Sequence, residues 1–599
     1  GAANAIAAAG ACDWLMVVDA GCEFVAPAMQ LMAVNLVANP ELRAVYADAV
    51  QRDPGGGLSA LFRPDFNLDL LLSAPGSHAR HWLYNCKVLL EAGGLAPEHG
   101  QAAELDLLLR LVESGGFAGL GHVHEPLLVT PLQVLRSLPE EERAILRHLR
   151  DRGYEGASVA SHLPGLYRVG YGHPDQPLVS VLVPTRDQFA LVQRCLDTLL
   201  EKTRYPNYEV LVVDNGSTEE AACRWLDGIE AMGSERLRVL RHPGPFDYPA
   251  LVNAAAAQAR GEYLLLLDND TAIVDGDWLD TMLNHAQRPE VGVVGPKLIK
   301  PDGSVEAAGL VLGAGIGAAP AFEGHKPQDA GYMYRLQVDQ DYSAVPGSCL
   351  MVRTAVFHEV GGLRGGDLRH AHSDVDFCLR VGQAGYLVVW TPHALVLHEG
   401  GASRARVDTA PLEDKAQRAK ASLEELYRQW LPRLARDPAH NLNLSLGERP
   451  FQVETASWLN HDPLPWRPLP VVLALPADRH GCGYYRVIHP ARAMSAHGVA
   501  DARVGDRYLS PVELERMAPQ AVVFQRQMLP EQAESQRRMT GFSDVFKVAE
   551  LDDYLPNVPL KSAHRNQLPQ DVLKSMRAAL KQVDRLVVST EPLAEALRD

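Results

Sequence analysis

The stretch "EYLLLLDNDTAIVDGDWL", residues 262–279, sets a run of four leucines directly against two aspartates. A short apolar run ending in acids reads as a buried strand whose tip carries the chemistry. An earlier stretch, "DWLMVVDAGCEFVAPAMQ" (13–30), has the same shape with one of the two acids missing. Working outward, "LVSVLVPTRD" and "YEVLVVDNGST" read as two more buried strands, each followed by a polar turn. "FALVQRCLDTLLEKT" and "PALVNAAAAQARG" carry apolar residues at helical spacing between the strands. Alternating strand and helix with continuously apolar strands predicts an α/β fold built on a parallel sheet covered on both faces.

The second copy of the phrase is followed by more shared text in the same order. "GGLAPEHGQAAELDLLLRLVESGGFAGL" (93–120) matches "GGLRGGDLRHAHSDVDFCLRVGQAGYLVV" (361–389). The repeat predicts a partial module over 1–131 and a complete one over 178–405, joined by a helical connector (132–177). Residues 406–470 hold an amphipathic helix and the Pro-rich linker "HDPLPWRPLP". A further strand–loop–helix region begins at 471 and runs to 599.

The 599 residues carry a net charge of −17, which argues against a general nucleic-acid binder. The eight cysteines form no CxxC pair and no cluster, so free thiols in a reducing compartment are expected, with no zinc site. No stretch reaches the roughly 20 apolar residues of a membrane span. The N-terminus lacks the basic start of a signal peptide and an initiator Met, and the chain reads as a piece of something longer. A cytoplasmic protein is expected, with at most peripheral contact with the inner face of the cytoplasmic membrane.

The chemistry-bearing residues follow the strands. Alternate side chains of an extended tip point the same way, so Asp268 and Asp270 can converge on a hard cation, Mg²⁺ or Mn²⁺; a polar loop capped by Asp reads equally well. Asp374 and Asp376 fall at the start of a helical pattern, where acids cap the helix. Asp374 alternatively faces a substrate as a general base. His398 ends an apolar strand and completes a metal set or simply packs. Arg404, beside Ser403, suits a phosphate or a solvated loop. Pro184, Thr185, Asp187, Asp214 and Ser217 sit at two strand tips, where they bind a nucleoside or make turns. No phosphate-binding G-x-x-x-x-G-K-[ST] loop and no G-x-S-x-G elbow occurs.

Taken in order, "VSVLVPTRDQ", "VLVVDNGST", "YLLLLDNDT", "VPGSCLMVR", "HSDVDFCLR" and "LHEGGASR" resemble a bacterial family 2 glycosyltransferase of the GT-A fold, almost continuously over 178–404. The resemblance implies a UDP-, dTDP- or GDP-sugar donor with Asp214 on its base. It implies Asp268 and Asp270 on the metal–diphosphate, with His398 contributing to the metal. Asp374 is then the base, with Gly347, Ser348 and Asp376 on the acceptor side. The acceptor is a glycan or lipid-linked glycan of a surface polysaccharide or glycoprotein, and the enzyme a hexosyl- or rhamnosyltransferase. Residues 1–131 resemble the second half of the same fold, with "VYADAVQ" and "FRPDFNLDLLLS" similar to polysaccharide-type members. They depart from it at Gly21 for the second acid, Glu104 for the base, and "HVHEPLLVTP", which lacks the late His. Residues 471–599 resemble the first Rossmann half of a GT-B glycosyltransferase. A glycan- or assembly-scaffold and a sugar nucleotidyltransferase are the rival readings. The latter usually needs a Gly-rich loop with a basic residue, which "VPTRDQF" does not supply.

Overall fold

A computed structural model describes residues 2–400, 411–447, 449–557 and 571–598. One compact unit falls within Gly1–Leu426 and Asp437–Val453, a second within Tyr427–Arg436 and Glu454–Asp599.

The first unit holds both copies of the repeated phrase. In the second copy the strands run in the order Leu237–Arg241, Tyr208–Asp214, Val179–Thr185, Tyr263–Leu267, Cys349–Arg353, Val291–Ile299, Leu387–His398, Thr271–Ile273. The first four are mutually parallel. Numbered along the chain they lie 3-2-1-4, which opens a crevice at the carboxyl ends of Val179–Thr185 and Tyr263–Leu267. Both strands are buried along their whole length, which is why the sequence shows continuous apolar runs.

The parallel arrangement read from the strands of this half holds there, and beyond it the sheet is mixed. Cys349–Arg353 runs antiparallel to Tyr263–Leu267 and to Val291–Ile299, and Thr271–Ile273 antiparallel to Leu387–His398. The loop before Cys349 and the two-residue step from Asp268 to Thr271 allow these reversals without a crossover helix, which a parallel connection requires. The core behind the sheet joins Val181, Val212, Leu265, Trp278, Met282 and Met351. Cutting one of these back, as in Leu265→Ala, costs about 2–5 kcal/mol.

The first copy repeats the main strand path of this second half. Its order is Trp14–Met16, Trp82–Asn85, Ala44–Arg52, Leu120–Pro131, Glu23–Phe24. The pairings are antiparallel, antiparallel, parallel and antiparallel, as in the second copy. The stretch read as a helical connector holds one helix, Pro139–Asp151, and also a hairpin, Ser158–Leu163 with Leu166–Gly170. Ala144, Ile145, Leu149, Tyr167 and Val169 bury into the first copy's core. The alternation in "SVASHLPGLYRVG" around Pro164-Gly165 was the strand signal.

The second unit is a five-stranded, all-parallel sheet ordered Asp501–Val504, Val471–Leu475, Ala521–Gln525, Phe546–Leu551, Arg585–Val588. In chain numbering this is 2-1-3-4-5, a doubly wound arrangement. A capping box between Ser510 and Glu513 starts one of its helices.

Candidate active site

At the crevice, Asp214 pairs in register with Thr185, which sets two polar tips side by side. Asp214 Oδ1 accepts the Ser217 amide (2.9 Å) and hydroxyl (2.6 Å), and its Oδ2 meets Arg241 Nη1 at 3.2 Å. The Asp187 amide donates to Ser217 Oγ at 2.8 Å, and Asp187 Oδ1 accepts the Glu219 amide at 2.7 Å. Asn269 Nδ2 donates to Thr185 Oγ1 at 2.9 Å. Pro184 lies beyond the last pair with the Tyr263–Leu267 strand, Leu266 with Leu182. Its missing N–H therefore leaves no gap in that ladder.

The acids of the opening phrase meet the late histidine through strand pairing. Thr271 faces His398 across the antiparallel ladder. His398 Nε2 lies 3.2 Å from Asp270 Oδ1 and 3.9 Å from Asp268 Oδ2. One ligand atom from each of the three falls within 4.8 Å of the others. His398 Nδ1 lies 2.8 Å from the Glu306 carboxylate. That carboxylate orients the ring and leaves Nε2 for the acids, as carboxylate–histidine–metal sets do. Burial opposes charge on His398, but Asp270, Glu306 and Asp268 outweigh it and raise its pKa to about 10. The pocket is built to hold positive charge, and its donor set of two carboxylates and one imidazole fits Mn²⁺ or Mg²⁺.

Across from these acids, the helix Ser373–Gln383 begins. Asp374 Oδ2 accepts the Gly347 amide at 2.9 Å. The next residue, Ser348, accepts the Asp268 amide on its carbonyl at 2.9 Å. The loop therefore ties Asp374 to Asp268 through two consecutive residues, Gly347 and Ser348. A Cβ at position 347 would stand 3.0 Å from the Asp374 Cβ, so glycine permits the close approach. Beside Asp374 a cleft is lined by Phe246, Tyr248, Gly347, Arg369 and His370.

Asp376, expected on the acceptor side, is instead fully buried. Arg380 Nε donates to it at 2.8 Å, and Arg364 Nη1 at 3.5 Å. The i, i+4 spacing accounts for the Arg380 pair. The first copy repeats it with Arg110 Nε on Asp106 at 2.9 Å. Arg404 lies outside the described residues.

Three neighbours escaped the sequence reading. Arg241 ends a strand beside Asp214, and a charge at the end of "LRVLR" was a weak signal. Glu306, in the short strand Val305–Ala307, gave no local signal. Tyr248, whose hydroxyl donates to the Gly347 carbonyl at 3.3 Å, looked like one more apolar helix position.

In the first copy, Asp19 meets Arg80 Nη1 at 3.1 Å and His81 Nε2 at 3.3 Å. Glu104 accepts the Tyr84 hydroxyl at 3.3 Å and the Trp82 amide at 3.4 Å. Pro131 ends the strand that His398 ends in the second copy.

Residues 180–361 match the family model described as Glycosyl transferase family 2. The O-antigen biosynthesis protein RfbC of Myxococcus xanthus is 36% identical over 70% of this chain and 33% of its own length. The N-acetylglucosaminyl-diphospho-decaprenol L-rhamnosyltransferase of Mycobacterium tuberculosis is 30% identical over 40% of this chain and 81% of its own. The solved mannosyltransferase PcManGT from Pyrobaculum calidifontis, in complex with GDP-Man and Mn²⁺, is 18% identical with a TM-score of 0.29, over 42% of this chain and 71% of that one. The chain spans only 33–48% of the length of the curated relatives that match most of it.

Proposed function

The chain belongs to glycosyl transferase family 2, and from that premise we propose that residues 178–405 transfer a sugar from a nucleotide-sugar to a glycan hydroxyl, with inversion at the anomeric carbon. The observation that carries this reading is the convergence of Asp268, Asp270 and His398 opposite Asp374. Asp214, with Ser217, Asp187, Thr185 and Pro184 around it, receives the nucleoside; Arg241 steadies the Asp214 carboxylate. Asp268, Asp270 and His398 would hold Mg²⁺ or Mn²⁺ on the diphosphate side of the donor, with Asp268 also facing the donor and Glu306 orienting the His398 ring. Such an ion would supply positive charge to offset that developing on the leaving diphosphate.

Asp374 takes the proton from the acceptor hydroxyl. That oxygen bonds to the anomeric carbon as the carbon–phosphate oxygen bond breaks on the opposite face, and the nucleoside diphosphate departs with the electron pair. Gly347 and Ser348 set the distance between base and donor. Asp376 braces the helix behind Asp374 rather than touching the acceptor. Arg404 joins the diphosphate side in this reading.

Residues 1–131 form a degenerate module in which the Arg80 and His81 contacts to Asp19 favour a supporting role. Residues 132–177 connect it, 406–470 lead onward, and 471–599 are the first Rossmann half of a GT-B unit. The relatives' printed names point to a surface-polysaccharide acceptor and to rhamnosyl transfer. No helix among the described residues is long and apolar enough to cross a membrane.

The test is turnover and binding across UDP-, dTDP- and GDP-sugars, with and without Mn²⁺, for the wild type and Asp270→Ala. Metal-dependent turnover of one donor, lost in the variant, is expected. Donor binding with no turnover on any glycan acceptor would instead support the scaffold reading.

A further inference from the structure

A second cluster of ligating side chains lies in the first module, away from the strand-tip site. His122 and His124 are two apart on the strand Leu120–Pro131, so they emerge on one side of it. Their ring centroids are 4.0 Å apart. The register against Ala44–Arg52 slips here, from Ala47 opposite Val123 to Asp48 opposite Pro126. The slip sets Asp48 beside the imidazoles: one ligand atom from each of Asp48, His122 and His124 lies within 4.8 Å of the others.

Asp65 faces the same two imidazoles from the other side of His122. Its Oδ1 stands 3.1 Å from His122 Nδ1 and 3.2 Å from His124 Nε2. One oxygen thus faces two ring nitrogens. These two spacings approach the edge of a tetrahedron with bonds of about 2.0–2.1 Å. On its other side, His122 Nε2 lies 3.0 Å from Asp48 Oδ1. Asp48 is itself fixed by the Arg63 amide at 2.9 Å and by Asn441 Nδ2 at 2.7 Å. The neighbouring buried cation, Arg63, directs its guanidinium to the Ala47 and Arg80 carbonyls.

We propose that Asp65, His122 and His124, with Asp48 orienting the His122 ring, bind a divalent cation of the zinc class. Two imidazoles with carboxylate suit Zn²⁺, and Co²⁺ as its probe, better than Mg²⁺. Asp48 behind His122 repeats the relation of Glu306 to His398, with the ring nitrogens exchanged. Asp65 is on the open side, its side chain 44% exposed against 3% for His122, which gives the ion a way in.

The ion serves as a clamp. The Asp65 amide donates to the Pro438 carbonyl at 2.8 Å, and Asn443 Nδ2 to the His124 carbonyl. Strand Ala44–Arg52, the turn at 63–65, strand Leu120–Pro131 and the 438–443 segment therefore meet around one point.

The experiment uses the whole chain carrying Asp268→Ala and Asp270→Ala, so that the strand-tip acids contribute nothing. After chelator treatment it is titrated with Co²⁺ and, separately, with Zn²⁺. One equivalent of Co²⁺ with the intense visible absorption of a four-coordinate site is expected, together with a rise in Tm on adding Zn²⁺. His124→Gln and Asp65→Asn in the same background should each weaken Co²⁺ binding at least tenfold. Both positions have some solvent access, so neither change should prevent folding, and circular dichroism checks this. Absence of Co²⁺ binding, or binding unchanged in both folded variants, overturns the proposal and leaves the cluster as an ion-pair network alone.

Discussion

The Gly347 amide donates to the Asp374 carboxylate at 2.9 Å, and a Cβ at 347 would crowd the Asp374 side chain. The contact sets both where the carboxylate points and how close it comes to the loop that holds Asp268. Gly347→Ala puts a Cβ 3.0 Å from the Asp374 Cβ, so one of the two must shift by a few tenths of an ångström. A shifted base loses alignment, and kcat is expected to fall about 10–100-fold with donor affinity nearly unchanged. Asp374→Asn keeps the shape but cannot take the proton, so kcat should fall about 10²–10⁴-fold. Steady-state kinetics beside donor titration checks both. Near-normal turnover in Asp374→Asn would remove Asp374 from the role of base.

Glu306 touches neither donor nor acceptor in the proposed reaction, yet it holds His398 Nδ1 at 2.8 Å. Glu306→Gln can turn its NH₂ toward that nitrogen and favour the wrong tautomer. Loss of such an outer carboxylate typically costs 10–100-fold in metal affinity. The expected outcome is a rise in the Mn²⁺ concentration for half-maximal activity by about that factor, with kcat largely restored at saturating metal. A drop in kcat that excess Mn²⁺ does not rescue would argue against a purely orienting role.

The strand tips were legible because burial on both faces writes continuous apolar runs, and "VLVPT", "VLVVD" and "YLLLLD" are such runs. The duplicated phrase marked the two copies as related, but the antiparallel pairing of their shared half was not legible from it. What stayed hidden depends on long-range pairing. Glu306 reaches His398 from a separate short strand, 92 residues away in the chain, and nothing local to "SVEAAG" marks it. Asp376 was misplaced because an acid at a helix start looks the same whether it faces substrate or a buried arginine. The i, i+4 arginine in "DFCLR", echoed by "DLLLR" in the first copy, was the available clue. The hairpin at 158–170 was hidden behind a strongly helical neighbour, Pro139–Asp151.

Glu104 gives the first copy a pH dependence of its own. Burial, only partly offset by the Trp82 amide and the Tyr84 hydroxyl, pushes its carboxyl up to about 8. A carboxyl raised in the fold binds its proton more tightly than in the unfolded chain. The native state therefore holds the extra proton between the ordinary carboxylate range and pH 8, and stability declines as pH rises through that window, by at most about 1.4 kcal/mol per unit. Glu104→Gln removes this slope. Urea unfolding from pH 5 to 9 should show the variant gaining on the wild type as pH rises, with the difference levelling off above 8. A constant difference across the range would mean that Glu104 is not protonated in the fold.

The two copies are joined by a buried ion pair. Arg288 Nη1 and Nη2 reach Asp69 Oδ1 and Oδ2 at 2.6 and 3.1 Å, with both side chains essentially inaccessible. Burial opposes both charges, but Arg288 holds the Asp69 carboxyl below its ordinary range, and Asp69 in turn raises the guanidinium. Asp341, next to Asp69, is pushed well up by burial and by that charge. Removing one partner strands the other in a dry site, so Asp69→Asn or Arg288→Met alone should cost about 3–5 kcal/mol. The pair replaced together by Asn and Met leaves no uncompensated charge, and its cost should be well below the sum of the singles. Urea denaturation of the four members of this cycle measures the coupling. Additive losses would mean that water or Asp341 already compensates each charge, and that the contact between the copies rests on apolar packing instead.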